Sequence, residues 1–549
     1  YHRRFFRKEV KPNITCFTDL MLGVDEVKAI FDELHISIPK SLEEDLDLCR
    51  QATNLGSLIQ PQTPLETLEA IHDKLTSAIE SSDLFIRSNI QELQRVISQL
   101  IPLSKNYHCV VDNPPYMGGG NMNKELSTFV KKNYPESKAD LMACFMEAGL
   151  ASLNPKGFLG MINQHSWMFL SSYEKLRDKL IKSIQFDILL HLGPRTFPEI
   201  GGEVVQNASF TFLNAKPTYK GSYIRLVDYE NSELKRNKTL EAIQNPQCGW
   251  FYTANQKDFE KIPGSPIGYW LSEKFFNIFK NRKLETVAEP RLGMATADNN
   301  YFLRYYWELN LRETFIQNNS SDIVSKTRWY KYAKGGNFRK WYGNLEYVVD
   351  WENNGYKIRN YCDINGKIRS HNYNLDYIFK KGITWNALSS TSTSFRVMEN
   401  SIFDNAGSSL FIKDRFTDEY TYIISLLNSK LVNYILPVIN PTLSCQPGTI
   451  AKVPILFSKK IDISIVNECI DISKIDWDSR ETSWDFQQND LIRCKINFGQ
   501  NCADIDLLSV EDREGISGMT KIPTNSNLLE DCYEAYKSKW NKIFFQLHH

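Results

Sequence analysis

The run VVDNPPYMGGG, residues 110–120, decides how this chain reads. A short apolar segment leads into Asn113-Pro114-Pro115-Tyr116 and then into three glycines. Two consecutive prolines cannot continue a β ladder or begin a mid-helix turn, because each lacks a backbone donor and fixes φ. The pattern predicts a buried strand that ends in a stiff, extended loop. Such a loop holds the Asn113 amide and the Tyr116 ring in a set relation at the carboxyl end of a strand, where open α/β sheets bind ligands.

Working outward, YHCVVD at 107–112 has strand periodicity, and about eighty residues before it carry apolar positions at three- and four-residue spacing. These read as a helical insertion over about 20–105, preceded by a short β-prone run at 13–18. After the loop come a helix in LMACFMEAGLASL stopped by Asn154-Pro155-Lys156-Gly157, a strand in GFLGMIN, a helix in SSYEKLRDKLIKSI, a strand in FDILLHLG and a β element in VVQNASFTFLNA. Alternating strands and helices predict a doubly wound α/β layer. No strand, Gly-x-Gly turn and helix occur in the order that cradles a nucleotide-type cofactor, so the layer reads as a partial Rossmann-like domain. Beyond residue 216 the texture turns to short elements rich in Trp, Tyr, Asn and Gly. There EYVVDWENNGYKIRNY and KGITWNALSS read as strands and hairpins, and YTYIISLLNSKLVNYIL as a helix. The expected division is 1–215, a mixed α+β domain at 219–457, and a helical or mixed region at 458–549.

With 549 residues the chain can bury more than one core. Its 65 basic and 65 acidic residues leave no overall field, so affinity for an anionic polymer has to come from local clustering. Eleven cysteines, none in a CxxC pair, argue against a disulfide framework and a thiolate zinc site, and fit a reducing cytoplasm. No apolar run approaches the roughly 20 residues that span a bilayer, and no membrane or metal role is expected. The opening YHRRFFRKEV has neither an initiator Met nor a signal-peptide core, so the chain reads as the continuation of a longer polypeptide.

Asn-Pro-Pro-Tyr after a strand is the motif of amino-group DNA methyltransferases, and its chemistry suits that task. An exocyclic amine conjugated to a purine is a poor nucleophile because its lone pair is delocalised. Two acceptors, the Asn113 side-chain oxygen and the Pro114 carbonyl, would localise that pair and aim it at an electrophilic methyl group. Pro115 stiffens the loop, and the Tyr116 ring would stack on the extruded base. No HExxH, Gly-x-Ser-x-Gly or deaminase-type His-Cys-Cys set competes with this reading. A second constellation is KTRWYKYAKGGNFRKW at 326–341. In it Lys326, Arg328, Lys331, Lys334, Arg339 and Lys340 alternate with aromatic residues, uninterrupted by acids. Cations spaced along a Gly-hinged segment suit a phosphate backbone, and Arg also reads guanine edges. The same pattern describes a solvated basic face over aromatic core residues, with Glu346, Asp350 and Glu352 close by.

Taken together, RRFFRK, PNI, GSLIQP, DNPPYMG, NPKGFLGMIN, IPGSPIGYW, YAKGGNFRKWYGNLEYVVDWENNG, KGITW and NPTLSCQPG, in this order, resemble the carboxyl-terminal portion of the PglX family. That family comprises adenine-specific DNA methyltransferases of BREX phage-defence systems and is similar to type IIG restriction-modification enzymes. The resemblance implies a class I methyltransferase domain with a helical insertion, followed by a mixed α+β target-recognition domain. It further implies adenine-N6 methyl transfer from S-adenosylmethionine to double-stranded DNA, with other phage-defence proteins as partners. Asn113, Pro114, Pro115 and Tyr116 match the catalytic loop. Phe197 matches the place of a second aromatic contact to the flipped base, and Asp19 the acidic position that touches the cofactor's adenine. The alternatives are a type IIG enzyme that also cuts and a non-catalytic specificity subunit. The family's cofactor turn corresponds to sequence before Tyr1, so this chain alone is expected not to hold S-adenosylmethionine; tight stoichiometric binding in calorimetry would contradict that.

Overall fold

The computed structural model describes residues 12–81, 84–197, 205–309, 314–315, 327–388, 392–440, 444–456 and 463–489, with short pieces between 533 and 541. Two compact units divide the chain, Tyr1–Phe276 and Asn277–His549.

The first unit begins without a strand at the β-prone run 13–18, which is irregular and exposed as far as Cys16, with Ile14 at 78%, while Phe17 packs on the core. Five helices follow: α1 (Val24–Glu33), α2 (Lys40–Cys49), α3 (Ala52–Leu55), α4 (Leu65–Ser81) and α5 (Leu84–Leu103). On α5 the residues Ile90, Leu93, Val96, Ile97 and Leu100 are buried, one stripe at helical spacing, and α4 presents Leu68, Ile71 and Leu75 to the same core. Asp45 on α2 is fully buried and serves the turn before α4, accepting from the amides of Gln62 at 2.9 Å and Thr63 at 2.8 Å and from the Thr63 hydroxyl at 2.6 Å.

Next comes a sheet of six strands: β1 (Tyr107–Asp112), β2 (Leu153–Gln164), β3 (Gln185–Gly193), β4 (Asn207–Leu213), β5 (Gly221–Arg225) and β6 (Phe251–Ala254). Their spatial order is β1-β2-β4-β3-β5-β6. β4 runs antiparallel between β2 and β3, while β1 is parallel to β2 and β3 to β5. The layer is therefore mixed, which a sequence pattern of alternating strands and helices does not reveal. It also continues through β5 and β6 to Ala254, well past the boundary expected at 215, because those strands complete the edge beside β3.

Connecting helices are α6 (Lys124–Asn133), which the sequence reading did not anticipate, α7 (Leu141–Ala151), α8 (Glu174–Ser183) and α9 (Ser232–Gln244). α7 is buried almost all round and seats close on β1 and β2, since a Cβ at Gly149 would stand 2.9 Å from Leu159 Cδ1 and 3.5 Å from Val110 Cγ1. It ends at Ala151, and the Asn154-to-Gly157 signal lies inside β2, where Lys156 takes φ +64°. On the helix-covered face Trp167 packs edge-on against Phe186, Phe210 and Phe212. The opposite face is open. Val111 is 79% exposed, Ile188 45% and Phe158 40%, and β1 pairs only with β2 among the described residues. Among the described residues β1 stands at the sheet edge, more exposed than its apolar run implied.

In the second unit, strands β8 (Leu303–Tyr305), β9 (Thr314–Phe315), β10 (Trp329–Ala333), β11 (Tyr347–Asp350) and β14 (Ile402–Phe403) form one sheet. Strands β7 (Ala288–Arg291), β12 (Gly382–Trp385), β13 (Phe395–Met398) and β15 (Ser409–Ile412) form another. After β11 the chain enters a helix, Glu352–Arg359, through three left-handed residues, Asn353, Asn354 and Gly355, in place of the expected hairpin. The helix read at 420–436 is two, Tyr420–Asn428 and Lys430–Ile439, broken where the Ser429 hydroxyl caps the second by accepting from the Val432 amide at 3.2 Å. The segments Asp414–Asn428 and Lys430–Ile439 meet at a 72° bend and together have the length and composition of a broken span; no single helix among the described residues is long and apolar enough to cross a membrane.

Replacing Asp45 by Ala leaves the Thr63 and Gln62 donors without their acceptor in the core. The expected cost is about 2–3 kcal/mol in urea unfolding, with the denaturant slope unchanged.

Candidate active site

The chain leaves β1 at Asp112, and Asn113 and Pro115 are exposed while Pro114 is buried. Among the described residues no hydrogen bond engages the Asn113 side chain or the Pro114 carbonyl, so both acceptors are unpaired. Two residues on, the loop is pinned. The Tyr116 hydroxyl accepts from Asn207 Nδ2 at 3.0 Å and donates to the Ile162 carbonyl at 3.4 Å, which lays the ring over the carboxyl end of β2 and the start of β4. The Met117 amide donates to Asp140 Oδ1 at 3.1 Å, the Leu141 amide to the Met117 carbonyl at 3.1 Å, and the Gly119 amide to the Ala139 carbonyl at 2.9 Å. Asp140 also caps α7, accepting from the Met142 amide at 3.0 Å, so one carboxylate fixes both the loop and the helix behind it.

Burial sets the electrostatics. Desolvation raises the pKa of Asp112, partly offset by the Asn113 amide that donates to it. Desolvation likewise raises Tyr116, against the Asn207 hydrogen bond, and Asp140 adds a smaller upward push. Asp140 itself is raised by desolvation and held down by the Met142 and Met117 amides. The tyrosine therefore stays a neutral phenol at physiological pH, as a stacking ring requires. An open cleft of about 480 Å³ borders Asn113 and Asp112 and extends along the uncovered sheet face past Gly160, Ile162 and Thr211.

Of the other expected residues, Phe197 is half-buried four residues past the end of β3. Asp19 accepts from the Thr53 amide at 2.8 Å and from its hydroxyl at 2.8 and 3.0 Å, capping α3. The next residue, Asn54, accepts from Asn123 Nδ2 at 2.9 Å, and Asn123 caps α6 just beyond the glycines. Asp19 is thus two links from the loop, with its carboxylate already employed.

The basic segment lies in the second unit, and most of its cations turn inward. Arg328 pairs with the buried Asp350 at 2.8 Å and covers Trp329. Lys331 Nζ sits 5.1 Å over Trp484, where burial lowers its pKa. Lys334 Nζ lies 5.0 Å over Tyr347. Arg339 pairs with Asp476 and covers Trp477, and Lys340 donates to the Asn428 carbonyl at 2.8 Å. Lys326 lies outside the described residues. The alternation of cations with aromatics is here largely the signature of cation–π packing and internal ion pairs, not of a row of free charges.

The sequence reading missed Asp140 and Asn207, the two side chains that hold the loop. Asp140 carried a signal, a helix-capping residue directly before an apolar helix; Asn207, inside a strand run, carried none. It also missed a buried chain beside the site. His165 Nδ1 lies 2.8 Å from His191 Nε2, and His191 Nδ1 lies 3.0 Å from the Tyr269 hydroxyl. Desolvation pushes His165 down to about 4 and His191 well below its usual range, so the chain is neutral. No group of three potential metal ligands occurs among the described residues.

This geometry has a family counterpart. Residues 40–197, which contain the loop and α7, match the family model described as Eco57I restriction-modification methylase. Over 502 residues, 89% of the chain, the sequence is 36% identical to the adenine-specific methyltransferase PglX of Lacticaseibacillus casei (strain Zhang). Over 470 residues, 84% of the chain, it is 38% identical to the adenine-specific methyltransferase BrxX of Escherichia coli O9:H4 (strain HS). The chain is a homologue of one portion of these proteins, for the matches span 41% and 37% of their lengths. Among solved structures, the type IIL restriction-modification enzyme MmeI in complex with DNA aligns over 87% of this chain and 71% of its own, at 11% identity and a TM-score of 0.40.

Substituting Asp140 with Ala removes one acceptor from both the loop and the α7 cap. Stability is expected to fall by about 1–2 kcal/mol, and hydrogen exchange at the Met117 and Met142 amides to accelerate while that of β3 does not.

Proposed function

We propose that this chain is the base-binding and target-reading portion of a site-specific DNA adenine-N6 methyltransferase that marks host DNA in a BREX-type phage-defence system. On this reading the first unit is the carboxyl-terminal part of a class I methyltransferase domain, with a helical insertion at about 20–105, and the second unit holds the target-recognition region. Double-stranded DNA is the substrate and S-adenosylmethionine the methyl donor. The observation that carries the proposal is the two unpaired acceptors at Asn113 and Pro114, beside a tyrosine ring held by Asn207.

Each residue has a stated task. The Asn113 oxygen and the Pro114 carbonyl accept the two N–H bonds of the adenine amino group, which draws its lone pair out of conjugation and fixes its direction. The Tyr116 ring stacks on the extruded base, a contact of about 1–3 kcal/mol that offsets the few kcal/mol of unstacking. Phe197 is proposed as a second ring against that base. S-adenosylmethionine supplies an electrophilic methyl group, but no glycine turn to hold it exists among the described residues, and Asp19 is engaged by Thr53. The chain's own part is to present and orient the amine.

The test is Asn113→Ala in the full-length protein, with methylation read by restriction protection and duplex binding by fluorescence anisotropy. Methylation is expected to fall by about 100-fold or more with duplex affinity within a factor of about 3. Unchanged methylation would favour a specificity subunit without chemistry of its own.

A further inference from the structure

Once its cations fold inward, the basic segment presents a backbone turn, at 335–338, to solvent. Gly336, Asn337 and Phe338 are all exposed, Phe338 at 51%. The carbonyls of Gly335, Gly336 and Asn337 are drawn inward. Arg396 Nη2 donates to the Gly335 carbonyl at 3.3 Å, Asn386 Nδ2 to the Gly336 carbonyl and, at 3.2 Å, to the Asn337 carbonyl, and Asn344 Nδ2 to the Asn337 carbonyl at 2.8 Å. In a planar trans peptide the C=O and the following N–H point in opposite directions. The N–H groups of Gly336, Asn337 and Phe338 therefore face away from the protein, and no hydrogen bond engages them among the described residues.

The turn is held in this shape. Gly335 and Gly336 take φ of +97° and +101°, and a Cβ would meet the Ala406 carbonyl oxygen or Asn344 Nδ2 at 2.9 Å. Beneath it lies a charge without an ion-pair partner. Arg396 is 1% exposed, its guanidinium meets carbonyls, a hydroxyl and an amide oxygen, and no carboxylate pairs with it among the described residues. Its Nε has no partner among the described residues. Burial lowers its pKa to about 10, partly countered by Glu346, which leaves it protonated at neutral pH. Burying such a cation is costly unless something compensates it. Successive outward amides form an anion-binding concavity, and a positive charge behind them adds to its field.

We propose that the amides of Gly336, Asn337 and Phe338 cradle a phosphate of the DNA backbone. This rests on the methyltransferase reading, which makes duplex DNA the ligand of the second unit. The turn is a protruding, exposed loop and not a cavity, so a polymer that delivers its phosphate from outside suits it better than a free anion. Lys334, half-buried over Tyr347, flanks the turn as a further cation.

The experiment uses the full-length protein with a specific duplex and an unrelated duplex, each across a range of salt. Asn337→Pro removes one outward N–H; Asn337→Ala keeps it and removes only the side chain. Asn337→Pro is expected to weaken both duplexes by the same factor, roughly 3–10-fold, with the salt slope unchanged, because a neutral amide releases no counterion; Asn337→Ala is expected to match the parent. Equal binding by Asn337→Pro and the parent, or loss confined to the specific duplex, would overturn the cradle. If Asn337→Pro melts earlier than the parent, hydrogen exchange on the unmodified protein decides. The amides of 336–338 gain protection with duplex and not with inorganic phosphate at the same phosphate concentration; no gain with duplex, or equal gain with both, refutes the assignment. Failure of the parent to bind any duplex would instead remove the methyltransferase reading.

Discussion

A loop with two adjacent prolines has lost two of its own backbone donors, so its shape depends on what the flanking residues can reach. Here that dependence falls on Asp140 and Asn207. The carboxylate of Asp140 gathers the Met117 and Met142 amides, which ties the loop's exit to the first turn of α7. Asn207 holds the Tyr116 hydroxyl from the first residue of β4. The antiparallel insertion of β4 between β2 and β3 makes this possible, because it brings the beginning of that strand, and not its end, to the carboxyl edge of β2. Topology and site geometry are therefore one constraint.

How much of this the sequence disclosed depends on how local each feature is. β1 was legible to the residue, and α7, α8 and β3 nearly so, because their apolar spacing and punctuation are written within a dozen positions. The exposure of Val111 was not, since an apolar strand at an edge and one in a sheet's middle share the same pattern. The same holds for β4's direction, which is a property of three strands at once. At the site, Asn113 through Tyr116 announced themselves by their prolines, whereas Asn207 is separated from Tyr116 by ninety residues of chain and becomes meaningful only when folded.

The segment at 326–341 shows the complementary lesson. A run of alternating cations and rings satisfies two physical descriptions, one in which charge faces water and one in which it lies on aromatic faces. In sequence they are indistinguishable. Asp350 and Asp476, distant in the chain by up to 137 positions, tip the balance by pairing with Arg328 and Arg339. What the segment offers outward is then decided by its glycines, the least conspicuous residues in it.

The uncovered edge of the six-stranded sheet has a practical corollary for handling the protein. A free strand edge with apolar side chains is a template on which another chain can add, and β1 combines an unpaired edge among the described residues with Val111 nearly fully accessible. A charged residue at position 111 is the simplest gatekeeper against such strand addition.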